Sequence, residues 1–232
     1  FIEDIDFILS KSNPDRTILL FSATMPPQIL SLATKYMNDY TTVKVKKQTL
    51  SNPLTDQIYF EVRESDKGEA LCRIIDQEAD FYGLIFCRTK LDVERVKDRL
   101  IKRGYFAEAM HGDLSQAQRE RVLSKFKKRQ YKIMVVTDVA SRGLDINDLS
   151  HVINYALPQD PESYVHRIGR TGRAGKSGTA ITFITPSEYR KLVYIQKVSK
   201  MDIKKGAVPT VKEVVETKRV RLKETFHKVI EG

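Results

Sequence analysis

The chain has 232 residues, 41% of them hydrophobic and 30% charged, and its 40 Lys and Arg outnumber 30 Asp and Glu for a formal net charge of +10. This length exceeds that of a usual single domain, and no apolar run approaches the ~18 residues of a membrane span, so a sizeable core and no membrane partner are expected. The positive excess favours a polyanion such as nucleic acid, although charge alone does not establish one.

Residue 1 is Phe1, not methionine, so a fragment of a longer protein is expected. Residues 1–43 contain a helical pattern ("FIEDIDFILSKS"), a fully apolar strand ("TILLF"), the tripeptide Ser22-Ala23-Thr24 and a second helix from near Pro27. A lone strand with two helices cannot bury both its faces, which marks 1–43 as the remnant of another domain. "KVKKQTLSNPLT" is polar, basic and contains a proline, and it predicts a linker over 44–56.

From residue 80, short β-branched runs alternate with amphipathic segments: "GLIFCRT", "LDVERVKDRLIKRG", "FAEAMHG", "SQAQRERVLSKFKKR", "KIMVVTD", "HVINYA", "PESYVHRIG", "TAITFIT" and "SEYRKLVYIQKVSK". That alternation predicts parallel strands with crossover helices, one doubly wound α/β domain over 57–205. Ser115 with Gln118 forms a capping box, and Gly104 ends the preceding helix. Cys72 and Cys87 form no Cys-x-x-Cys pair, so reduced thiols, no metal and a cytoplasmic setting are expected. Residues 206–232 predict an amphipathic helix whose docking face is not legible in the sequence.

Ligands of open α/β sheets gather beyond the carboxyl ends of the strands, which directs attention to the polar residues there. Ser22 or Thr24 could bind or could cap the next helix, and the same choice holds for Thr137-Asp138. Arg88 could be a contact or a solvated charge. "HRIGRTGRAGKSG" ends like a Walker A loop, but the required glycine falls on Arg170 and the segment leads into a strand, not a helix. Its arginines, Arg167, Arg170 and Arg173, recur every third residue among glycines, a combination suited to phosphate oxygens.

The motifs "SAT", "LIFCRT", "HGDLSQAQRER", "VVTDVASRGLDI" and "HRIGRTGRAGKSG", in this order, resemble the C-terminal half of a DEAD-box RNA helicase of the bacterial cold-shock and ribosome-assembly type. The resemblance implies a RecA-like second domain over 57–205 and the tail of a first domain over 1–43. It further implies ATP with Mg²⁺, bound mainly by a first domain whose Walker A loop and Asp-Glu-Ala-Asp box this sequence does not contain. By the same resemblance Arg170 and Arg173 are γ-phosphate fingers, and His166 communicates with the first domain. Ser22 and Thr24 link hydrolysis to unwinding, and Asp145 reads the nucleotide ribose. Arg88, Gly112, Gln116, Arg119 and Thr137 match positions on the RNA backbone, while His111 and Asp113 either touch RNA or shape a turn. The implied partners are RNA, the first domain and a second copy joined through regions beyond residue 232. A freestanding RNA- or partner-binding module without a nucleotide role is the alternative, separable by the sequence upstream of Phe1.

Overall fold

The computed structural model describes the chain apart from residues 1, 23–24, 26, 38, 44–53, 142–145, 173–174 and 232, and apart from the side chains at 28, 228, 229 and 231. Residues 1–47 and 48–232 form two separate units. The smaller contains α1 (Ile2–Lys11) and α2 (Pro27–Tyr36). Lys35 pairs with Asp6 at 2.9 Å and the Tyr36 hydroxyl donates to the same carboxylate at 2.7 Å, tying the two helices together. Ala33 is the one buried side chain among the described residues of this unit. The expected strand "TILLF" is not formed: residues 17–22 have no regular structure, and Phe21 is 89% exposed. A strand needs a neighbour to pair its amides, and the described residues of this unit supply none.

The larger unit is built on seven strands: β1 (Thr55–Glu61), β2 (Gly83–Cys87), β3 (Ala107–Met110), β4 (Ile133–Thr137), β5 (His151–Asn154), β6 (Gly178–Ile184) and β7 (Lys204–Lys205). Their order is β3-β4-β2-β5-β6-β1-β7 and every pairing is parallel. β1 begins at Thr55, inside the segment expected as linker. Parallel neighbours need crossovers. These are provided by α3 (Lys67–Gln77), α4 (Lys90–Lys102), α5 (Gln116–Lys127), α6 (Asp138–Ser141), α7 (Pro161–Ile168) and α8 (Tyr189–Ser199). One sheet face packs Ile85, Val135, Ile153 and Phe183 against Leu71 and Ile75 of α3 and Val93 and Leu100 of α4. On the other face Phe86, Met134 and Val136 meet Phe126 of α5, while Ala180 and Ile184 meet Tyr164 of α7 and Ile195 of α8. Cover on both faces explains why "GLIFC" is apolar throughout and fully buried.

The local signals act as the sequence predicts. Ser115 and Gln118 complete a reciprocal capping box at α5, and Gly104, at φ 86°, turns the chain after α4. Asp160 caps α7 by accepting from the Ser163 amide at 2.7 Å, with Pro161 in the first helical position. Burial raises the acid constants of both the Cys72 and Cys87 thiols, so they remain protonated packing groups.

The terminal helix α9 (Val211–Glu231) docks on α3. Val214 is buried there, Lys218 pairs with Asp76 at 2.8 Å, and Arg221 donates to the carbonyls of Asp76, at 3.1 Å, and Gln77. Those carbonyls close α3, where the last turn lacks intrahelical donors and carries partial negative charge.

His151 opens β5 buried and stacked on Phe81, with ring centroids 4.9 Å apart. Burial holds its pKa below the ordinary 6.5, with Glu78 at 3.6 Å opposing in part. The unfolded chain therefore binds more protons at mildly acid pH, and the His151 contribution to stability is present above pH ~6.5 and lost as pH falls below it. We expect urea midpoints to decline from pH 7.5 to 5.5, and His151→Gln to flatten that decline.

Candidate functional site

Parallel pairing brings the strand ends to one edge of the sheet. Arg88 follows β2 there, exposed, with Nη2 3.3 Å from Glu188 Oε1. After β3, His111 is buried with Nε2 2.7 Å from Glu94 Oε1, and Lys90 holds Asp113 at 2.7 Å. The turn is shaped by His111 and Asp113, and it leaves Gly112 exposed, with nothing within 4 Å of where a Cβ would stand. Gln116 opens α5, and its Nε2 donates to Glu120 at 2.7 Å. Arg119, half-buried, donates to the Ala140 carbonyl in α6 at 3.0 Å. Thr137 ends β4, half-buried. Arg88, Gly112, Gln116, Arg119 and Thr137 thus gather over three adjacent strands, β3, β4 and β2.

The three arginines of "HRIGRTGR" have different fates. Arg167 is only 4% exposed. Its Nε and Nη2 donate to the two Asp138 oxygens at 2.6 and 2.7 Å, and Nη1 donates to Asn154 Oδ1 and to the Ala156 carbonyl, both at 2.9 Å. The guanidinium lies over the Phe86 ring, 4.9 Å from its centroid. Arg167 is therefore a structural group and not the phosphate binder its spacing suggested: four hydrogen bonds hold its side chain inside the fold. The same bonds commit the Asp138 carboxylate to Arg167, while α6 begins at Asp138 itself.

Beyond Arg167 the helix stops at Gly169 and the chain turns back toward β6. His166 is exposed and Arg170 half-buried, its carbonyl accepting from the Leu149 amide at 3.4 Å. Thr171 is fully buried and its hydroxyl donates to the Leu149 carbonyl. Gly172 and Gly175 adopt φ 66° and 80°, backbone favoured by glycine. A Cβ on Gly178 would lie 1.9 Å from Thr171 Oγ1 and 2.7 Å from the Gly172 amide nitrogen, so the return strand passes where only glycine fits. The arginine segment thus lies where the chain enters β5 and β6 and not over the strand ends with the other candidates. Lys176 is 68% exposed and pairs with Asp148 at 3.0 Å, immediately before β6, which removes it from any phosphate loop. Arg173, Asp145 and Thr24 lie outside the described residues, and Ser22 lies, exposed, in the smaller unit. Asn154 and the Ala156 carbonyl escaped sequence reasoning, because their part here follows only from where the Arg167 side chain reaches.

A family model, helicase conserved C-terminal domain, matches residues 66–175. The solved C-terminal domain of the DEAD-box protein Dbp5 is 31% identical with a TM-score of 0.65, and the match spans 99% of that domain and 74% of this chain. The chain belongs to the DEAD-box family. The DEAD-box ATP-dependent RNA helicase CshA of Geobacillus kaustophilus is 48% identical over 216 residues, 93% of this chain and 46% of that protein. Saccharomyces cerevisiae Dbp5 bound to RNA and ADP BeF3 is 28% identical with a TM-score of 0.82, over 94% of this chain and 58% of that one. The chain spans about half the length of the curated relatives it matches. The RecA-like fold of this DEAD-box chain places Arg167 where removal leaves Asp138 without its partner. Arg167→Ala should cost about 3–5 kcal/mol in urea unfolding, because it breaks a buried pair from one side. Lys176→Ala, at an exposed pair, should stay within about 0.5 kcal/mol.

Proposed function

We propose that this DEAD-box chain is the C-terminal part of an ATP-dependent RNA helicase, supplying arginine fingers to the nucleotide and part of the RNA surface. The observation that carries the reading is the separation within one domain of two sets of groups. Backbone-gripping donors cover the ends of β3, β4 and β2, while the glycine-flanked segment with His166 and Arg170 lies apart from them. Guanidinium, amide, backbone N–H and hydroxyl groups hold a phosphate and ribose backbone without reading bases, as an enzyme acting on many RNA duplexes requires. The names of the relatives support ATP and RNA as ligands.

What the described residues offer a nucleotide is guanidinium rather than metal ligands. No group of three or more His, Cys, Asp or Glu suited to an ion occurs among them, so we assign Mg²⁺ to the first domain. Phosphoryl transfer spreads charge over the γ-phosphate oxygens, and Arg170 and Arg173 would meet it there. Asp145 would accept from the ribose hydroxyls, His166 would face the first domain, and Ser22 and Thr24 would couple hydrolysis to strand separation. RNA, the first RecA-like domain and a second copy held by regions outside this chain are the partners proposed, in the cytoplasm.

In the full-length protein, Arg170→Ala or Arg173→Ala should lower RNA-stimulated kcat for ATP by roughly 10³–10⁵. Lysine should not restore it, since it lacks the planar fork. Lys176→Ala should leave kcat within about twofold, as expected of an exposed ion pair. A severe Lys176 defect beside mild arginine defects would overturn the assignment. The 232-residue chain alone should show no RNA-stimulated hydrolysis and should bind single-stranded RNA with a log–log salt slope of about −0.7 per phosphate contacted. Salt-independent binding would argue against a phosphate-led surface.

A further inference from the structure

The two sets of groups are joined by a continuous series of short bonds. Arg119, on the RNA side, donates to the Ala140 carbonyl in α6 at 3.0 Å. Two residues earlier in the same four-residue helix, and directly after Thr137, Asp138 takes the Arg167 guanidinium on both carboxylate oxygens at 2.6 and 2.7 Å. Three residues past Arg167, the Arg170 amide donates to the Arg167 carbonyl at 3.2 Å. Between them Arg167 is fixed by Asn154, Ala156 and the Phe86 ring.

We propose that Asp138 and Arg167 are positioning residues, and that their buried ion pair carries occupation of the RNA surface on α5, β4 and α6 to the arginine finger at Arg170. The proposal rests on the functional reading above. Its physical ground is directional. An exposed ion pair between long side chains rearranges freely and passes on little of a neighbour's movement. A two-oxygen, two-nitrogen pair buried against an aromatic ring has one good alignment, so a shift of α6 toward bound RNA must carry Arg167, and with it the last turn of α7. Arg119 and Thr137 are the groups through which RNA would press on α6, since one bonds its backbone and the other adjoins its first residue. Coupling of this kind is reciprocal, so nucleotide bound at Arg170 should tighten RNA by the factor with which RNA tightens nucleotide.

The test measures that factor in the full-length protein, with a fluorescein-labelled single-stranded oligo(U) RNA and ADP–beryllium fluoride. RNA affinity is recorded by anisotropy with and without the nucleotide complex, for the unaltered protein and for Asp138→Asn, Arg167→Lys and the doubly uncharged Asp138→Ala/Arg167→Met. The last variant leaves no unpaired buried charge, so it retains the fold if either single substitution does not. The unaltered protein should show a coupling factor in the common range of about 5–150. In the folded variants the factor should fall below about 2, with RNA affinity in the absence of nucleotide within about threefold of the unaltered value. A change in the fraction of folded molecules does not alter a ratio of affinities, so this readout separates positioning from bulk stability. A folded Asp138→Ala/Arg167→Met protein with undiminished coupling would overturn the proposal while leaving the helicase reading intact. RNA affinity indifferent to ADP–beryllium fluoride in the unaltered protein would overturn the helicase reading, and the proposal with it.

Discussion

A guanidinium only 4% exposed, held by Asp138, Asn154 and the Ala156 carbonyl, is the interaction on which the arrangement of this domain turns. Removing such a charge from water is tolerable only where nearly every N–H finds an acceptor. Arg167 meets that condition by drawing together three stretches of chain: the segment after β4, the end of β5 with the turn that follows, and α7. The orientation of α7 over the sheet follows, and so does the point at which the chain can break helix at Gly169 and turn back into β6. The crowding of Thr171 and Gly172 against Gly178 belongs to the same constraint, because the returning strand has to pass beneath a helix already fixed in place.

Much of the architecture was legible because it rests on short-range rules. Alternating β-branched runs and amphipathic segments specified a parallel sheet with crossovers, and capping signals at Ser115, Gly104 and Pro161 marked element ends that the structure shares. "TILLF" misled for a reason of the same physics: apolar β-branched composition gives a preference for extended backbone, but a strand is completed only by a partner. The docking face of α9 was hidden because it is set mainly by Lys218 and Arg221, which in sequence look like ordinary solvated charges. Their target, the end of α3, is about 145 residues away and becomes recognisable only when its last carbonyls are seen uncovered.

The candidate site was legible by motif and partly misread by spacing. Arg167 and Arg170 have the same neighbours in composition and the same period, yet one points into the fold and the other lies beyond the end of the helix. Nothing local separates them, since the difference is made by Asp138 and Asn154, 29 and 13 residues away. His111 and Asp113, which the sequence left between touching RNA and shaping a turn, are occupied by Glu94 and Lys90 and act through the turn they form.

The sheet ends at β7, which pairs with β1 through only Lys204 and Lys205. An outermost strand with open amides and carbonyls invites another polypeptide to add to it, and the hazard grows with the length and apolarity of the run. Here the run is two residues long, both cationic, and Lys205 leans toward Glu61 at 3.4 Å. A second copy approaching in register would set lysine beside lysine with almost no ladder to gain. The fold therefore carries its own protection against fibrous stacking at that margin, independent of how well the rest of its surface is solvated.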